Sequence, residues 1–447
     1  MRMRCFALGF FSLTVYALFF TFAEGWNGQS RWALSLAIAR RGTTAVDEFI
    51  GESRDVCVSR GRLYAAKAPG MGLLGAPLVW CADRIVPVAT PASDAAKRFL
   101  VRMMLVSVPA AALGVMLCMS GMPSASLAAV ACCLGSPVLP YATLFYGHVP
   151  AGLCLLVAWR YARSKAFGRA GLMAGIGIAV DYLTGVGVAV LLVVVARRGV
   201  LRMLIGMLPA VIALGIYNLV SFGTVFATGY ERLADEGFAA AMSHGFLGVG
   251  LPSFAVLLAM LFGTYRGLFL LSPWLILWVV AAVQMRRSRQ DLVMTVGVPG
   301  LYLLLFSGFP AWWGGASCTV RHAIPVIPLM AWAVATLRGR WRGVLLFLGL
   351  LGSAVQLGFT LTEPEMPEDV AFPLVDFVVP HVAAGRLRAT LFGAQWPGQW
   401  AAVAVACAAC IAAWVTAWRA GGCWLERRVV SWVQWTIDHG NPQRRNP

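Results

Sequence analysis

Asp47 and Glu48, adjacent in VDEF, occupy a polar stretch between apolar runs, and Lys67 follows in RLYAAKAPG. A carboxylate at the edge of a hydrocarbon layer can take a proton from a nucleophile as it attacks an activated carbon. A lysine followed by Pro-Gly at the start of an apolar helix can present its ammonium to a phosphate, aided by the free N–H groups of the helix N-terminus. The plainer alternatives are solvated loop charges or a helix cap for the acids, and a lysine reaching the lipid headgroups. Tyr64 shares the Lys67 segment and is counted with the substrate-contacting candidates. Arg266 in TYRGLFLLSPW and Arg321 in WWGGASCTVRHAIP each precede an apolar run on what reads as the outer side. Arginine is normally sparse there, and a guanidinium matches phosphate, or a lipid headgroup, in shape and charge.

Three further groups complete the candidate set. His148 in YGHVP and His322 in RHAIP can donate to a substrate or serve structure. Asp181 falls at a turn within apolar sequence, where an ionisable group is costly and functional by default; its other role is as partner to an arginine or a backbone turn. Trp313, beside Trp312 and ahead of Gly314-Gly315, offers a face to a sugar. It fits equally an aromatic interface belt with Trp26, Trp80 and Trp396.

What must position these groups is set by composition. The chain has 447 residues, 60% of them hydrophobic and 12% charged, with mean hydropathy +0.75. A soluble domain carries about a quarter of its residues charged, so a water-soluble core is excluded. Apolar runs of roughly 17–25 residues recur, each long enough to cross the hydrocarbon as a helix. They lack the alternation of barrel strands, which leaves an all-α, polytopic integral membrane protein. The spans are read at about 5–23, 99–118, 125–146, 149–165, 170–181, 184–196, 203–222, 267–284, 292–309, 322–337, 343–361 and 398–418, about twelve in all. The stretch 170–196 is read as two short helices turning at Asp181-Tyr182, because both its ends carry arginines of the inner type.

The net charge of +17 does not point to nucleic acid. Its basic residues form patches between runs, among them Arg160, Arg163 and Lys165, then Arg197 and Arg198, then Arg286, Arg287 and Arg289. Patches alternating with poorly basic connections orient a membrane protein, here with both termini in the cytoplasm of a cell bounded by an inner (plasma) membrane. Residues 24–97 then form a long extracytoplasmic loop holding seven of the nineteen acidic residues. Within it 30–42 and 70–85 read as interfacial helices. The domain reading is a transmembrane body at 1–418 and a basic tail at 419–447. The cysteines have no metal-ligand spacing, although Cys57 and Cys81 share the outer loop and could form a disulfide. No cofactor is expected beyond the lipid-linked sugar donor as substrate; a divalent metal is left open, with no ligand cluster in the sequence to indicate one.

Five segments in order resemble the bacterial branch of the GT-C membrane glycosyltransferases, the superfamily of the protein O-mannosyltransferases and the lipid A aminoarabinose transferase. They are VDEF at 46–49, KAPG at 67–70, GH at 147–148, RGLFLLSPW at 266–274 and WWGGASCTVRHAIPVIP at 312–328. The resemblance spans nearly the whole chain. It implies transfer of a sugar from a polyprenyl-phosphate carrier on the outer face, with inversion at the anomeric carbon. It implies Asp47 as general base with Glu48 as second candidate, and Lys67, Arg266 and Arg321 on the carrier phosphate. Ala66 stands where relatives often have an acid, and SCTV where an aromatic and Gly-Pro are usual. A transporter or lipid flippase is the rival class. It should carry acids near mid-bilayer and a repeat between halves, and only Asp181 comes close.

Overall fold

In a computed structural model of the chain, residues 2–19, 24–87, 90–195, 197–243, 245, 248–285, 289–393, 395 and 397–439 are described, without side chains at 2, 197, 198 and 421–439. Arg286, Arg287, Trp396, the end of the first expected span and the last eight residues of the tail lie outside the described residues. Apolar sequence folds as helix wherever proline does not interrupt it, since only a helix satisfies every backbone group within its own segment. Among the described residues four helices are long and apolar enough to cross a membrane: Pro91–Cys118, Gly199–Phe222, Trp341–Leu361 and Gly398–Ala420. Shorter apolar helices accompany them, among them Ala125–Leu134, Phe167–Val180 and Thr184–Val194.

Several expected spans are therefore broken, and the breaks have a local cause. The run expected at 267–284 divides into Leu268–Leu271, a 3-10 turn at Pro273–Ile276 and Leu277–Gln284. Pro273 lacks the N–H that would continue the helix. The run expected at 125–146 stops at Leu134, before Gly135-Ser136-Pro137, and resumes as Val138–Tyr141. Backbone carbonyls freed at these breaks are caught by buried side chains: Gln356 Nε2 donates to Leu271 O at 2.9 Å and Trp274 Nε1 to Gly135 O at 2.7 Å. Bonds of this kind let a broken helix remain inside an apolar body. The two-helix reading of 170–196 matches the structure, with the turn at residues 181–183. The last helix, Gly398–His439, runs on past the boundary placed at 419.

The stretch read as a long loop, 24–97, departs from an all-α description. Its helices Trp26–Arg41 and Gly70–Ile85 form, but between them lies a two-stranded antiparallel hairpin, β1 (Val56–Ser59) and β2 (Arg62–Ala65). Arg60 and Gly61 at its turn have φ of 51° and 72°, the left-handed pair that suits the twist of a tight hairpin. Trp26–Arg41 is also not a surface helix: Asn27, Arg31, Trp32 and Leu34 on it are all buried. Arg40 near its end bonds Asp83 and Asp94, each at 2.8 Å, which joins it to the helices Gly70–Ile85 and Pro91–Arg102.

Candidate active site

The hairpin register delivers the first pair of charges. Val56 lies opposite Ala65, so the residues just outside the strands also face one another, and Ala66 N–H donates to Asp55 O at 3.3 Å. One residue further on, the Lys67 ammonium meets the Asp55 carboxylate at 3.0 Å, with both side chains 8% exposed. Two aromatic rings close over the ammonium, Phe238 at 4.3 Å and Tyr230 at 5.3 Å. Burial pushes Lys67 below the ordinary lysine range; Asp55 raises it, and Arg321 and Arg31 lower it again. A buried ion pair gains little stability over apolar residues of the same volume, because both ions must be stripped of water.

Arg31, on the buried face of Trp26–Arg41, draws the next segments together. Its Nε donates to Asn27 Oδ1 at 2.8 Å, and its Nη1 donates to Ala68 O at 3.3 Å and Val180 O at 3.1 Å. The approach is close enough to require two glycines. A Cβ on Gly70 would lie 2.4 Å from Ala179 O, and one on Gly147 would lie 2.5 Å from Val180 O. Thus the KAPG turn, the GH step and the end of Phe167–Val180 are held in one junction. Next to it His148 Nδ1 meets Asp181 Oδ2 at 2.6 Å, both buried. The other carboxylate oxygen, Oδ1, accepts from Leu183 N–H at 3.2 Å.

Arg321 opens the 3-10 turn Arg321–Val326. One guanidinium nitrogen donates weakly to the Tyr146 hydroxyl at 3.5 Å, and the group sits 5.6 Å over the Tyr146 ring. Tyr146 in turn donates to Glu365 Oε1 at 2.5 Å. Among the described residues no carboxylate lies within ion-pair distance of Arg321, and its buried Nε has no partner. Beside it His322 stacks on Phe306 at 4.8 Å and meets the edge of His148 at 6.2 Å, with Nδ1 unpartnered. His148 Nε2 is likewise buried and unpartnered. Three orphaned nitrogens in neighbouring side chains are unusual, since buried polar atoms are nearly always satisfied.

The structure thus brings together Lys67, His148, Asp181, Arg321 and His322, while the remaining candidates have other contacts. Asp47 accepts from Leu63 N–H at 2.8 Å and pairs with Arg62 at 3.1 Å, with 38% of its side chain exposed. Burial, the largest single influence, raises the Asp47 carboxyl, but the backbone N–H of Leu63, its own N–H and Arg62 together outweigh it and hold the group below the ordinary range. Glu48 forms a two-point exposed pair with Arg41, at 2.6 and 2.8 Å. Neither meets Lys67, Arg266 or Arg321 in an ion pair. Tyr64 packs edge-on against Phe222 in a small core behind the hairpin. Arg266 is fully buried, and its guanidinium clasps backbone, donating to Pro367 O and Tyr265 O at 2.9 Å each. Trp313 is on the rim, where its Nε1 donates to Glu368 Oε2 at 2.8 Å. Cys57 and Cys81 are separate thiols, one in β1 and one exposed on Gly70–Ile85.

Sequence reasoning missed Asp55, Arg31, Tyr230 and Glu365. Asp55 had a signal: it and Lys67 flank Arg60-Gly61 almost symmetrically, and a hairpin turn there makes them neighbours. Arg31, Tyr230 and Glu365 arrive from separate elements and had no local signal. No group of three or more His, Cys, Asp or Glu placed to hold a metal ion is found among the described residues. Known protein families, characterised proteins and solved structures offer no match to this chain, so its site is read from its own chemistry.

Proposed function

We propose that this protein is an integral membrane glycosyltransferase of GT-C type. It takes a sugar from a polyprenyl-phosphate carrier and passes it to an envelope lipid, glycan or protein acceptor at the outer face of the inner membrane. The carrier phosphate is bound by Arg321 and Lys67, with Arg31 adding positive potential. The observation that carries this reading is Arg321, a largely withdrawn guanidinium with an orphaned Nε and no carboxylate partner among the described residues. Leaving such a cation unpaired is costly, and a phosphate relieves the cost in the geometry guanidinium prefers. The same contacts stabilise the charge that grows on the phosphate as the sugar leaves. Apolar side chains on Gly70–Ile85 support access from the lipid, for Leu74, Trp80 and Ile85 are exposed on a helix that begins beside Lys67.

Binding of polyprenyl phosphate to the purified protein in detergent tests the reading. Arg321→Ala removes a charged partner, a loss of about 1.5–3 kcal/mol, so affinity is expected to fall roughly 10- to 100-fold. Unchanged affinity removes Arg321 from the phosphate site, and a wild-type protein that binds no polyprenyl phosphate overturns the reading.

A further inference from the structure

We infer that His148 is the general base that deprotonates the acceptor, with Asp181 as its positioning residue. This rests on the glycosyl-transfer reading and assigns the proton-accepting role to a dyad inside the cluster, not to Asp47 on the exposed rim.

Donors and acceptors around the His148 ring fix where its proton sits. The Asp181 carboxylate already accepts from Leu183 N–H through one oxygen, and its other oxygen lies 2.6 Å from His148 Nδ1. An ionised carboxylate only accepts, so the proton of a neutral imidazole must sit on Nδ1. Nε2 then carries the lone pair. That nitrogen is buried and has no partner among the described residues, which is what a base waiting for a substrate hydroxyl requires. The ring is also held in place. Tyr141 meets it edge-on at 6.0 Å, Tyr146 lies tilted against it at 5.8 Å, and His322 meets it edge-on at 6.2 Å. A carboxylate fixing tautomer and orientation, and stabilising the imidazolium that forms, is a recurrent solution to this problem.

The step balances. The acceptor O–H gives its proton to His148 Nε2, the acceptor oxygen forms a bond to the anomeric carbon, and the bond from that carbon to the carrier phosphate breaks. The phosphate leaves with the electron pair, held by Arg321 and Lys67. The surroundings couple base strength to donor binding. Burial opposes an imidazolium at His148 most strongly, Asp181 favours it, and Arg321 and Arg31 oppose it to a lesser degree. A bound phosphate offsets the two guanidinium charges, so the base gains proton affinity once the donor is in place.

The test uses the full-length protein in detergent with a polyprenyl-phosphate hexose as donor and water as acceptor. Two readouts are followed: the imidazole nitrogen resonances of 15N-histidine protein, which has only five histidines, and release of free hexose. Neutral His148 is expected as the Nδ1–H tautomer, and Asp181→Asn is expected to lose that preference. His148→Gln should keep donor affinity within about two-fold while hexose release falls by on the order of 10²-fold or more. The acid limb of the wild-type rate should follow one imidazole, set by Asp181, Arg31, Arg321, His322, Tyr141 and Tyr146 around it. An Nε2–H tautomer, or a His148→Gln variant that releases hexose at the wild-type rate, overturns the assignment. So does a variant whose donor affinity falls as far as its rate, because His148 would then be a phosphate ligand. If the wild type binds no donor, the transferase reading fails, while the tautomer still decides the dyad.

Discussion

Two aspartates of one polar segment, Asp47 and Asp55, meet opposite fates. Asp47 belongs to the conspicuous acidic pair, yet it ends on the surface, bonded to Leu63 N–H and Arg62 beside the hairpin turn. Asp55 has no acidic neighbour in sequence, yet it is buried against Lys67, within reach of the fields of Arg321 and Tyr230. The difference comes from hairpin register. Asp47 faces the end of the hairpin that looks outward, and Asp55 faces the end that enters the body. Chemistry at a site depends on the dielectric around a charge and on its partners, and neither is visible in a two-residue motif.

The largest test of this contrast is stability. Removing one partner of a buried pair leaves an uncompensated charge at a cost of about 3–5 kcal/mol. Asp55→Asn and Lys67→Met are each expected to lower the unfolding midpoint in detergent steeply, and the double variant is expected to recover most of the loss. If the single variants melt like the wild type, the two aspartates do not differ as described. A second buried carboxyl sharpens the comparison. Glu24 accepts from Phe145 N–H at 3.1 Å, and burial lifts it from 4.5 to about 7, with Arg98 opposing and Glu365 adding to the rise. Its folded value lies above its unfolded one, so the folded state binds more protons between them, and stability falls as pH rises from about 4.5 to 7. The span is worth on the order of 3 kcal/mol. Glu24→Gln should flatten that slope and raise stability at pH 8; an unaltered profile would show that Glu24 is not the group responsible.

The smallest effect is expected at Asp47. Exposed ion pairs contribute about 0–1 kcal/mol, so Asp47→Asn should barely alter the melting temperature at neutral pH. Its folded value is depressed, so its contribution is present above about pH 4 and is lost as pH falls through the lower folded value. Acid melting curves of the variant and the wild type should therefore converge below that point.

Much of the scaffold was legible because hydropathy and proline leave local marks. Gly70–Ile85 was placed to the residue, and the turn at Asp181 followed from arginines at both ends of a run too short for two full spans. The interruptions at Pro273 and at Gly135 were not read, because a sliding apolar window passes over one proline whose broken bond is repaired by a distant Gln356 or Trp274. At the site Lys67, His148, Asp181, Arg321 and His322 were legible as single residues. Their grouping was not, since it depends on Arg31 bridging Ala68 and Val180 from a third element. The hairpin escaped because its strands have four residues each, below the length at which alternation becomes distinct.

The affinity of purified protein for polyprenyl phosphate, with Arg321→Ala and Asp47→Asn compared side by side against the wild type, tests the phosphate site most directly. The buried cluster as phosphate site predicts a loss of roughly 10- to 100-fold for Arg321→Ala and none for Asp47→Asn. Equal affinities in all three proteins, or a loss confined to Asp47→Asn, would contradict it.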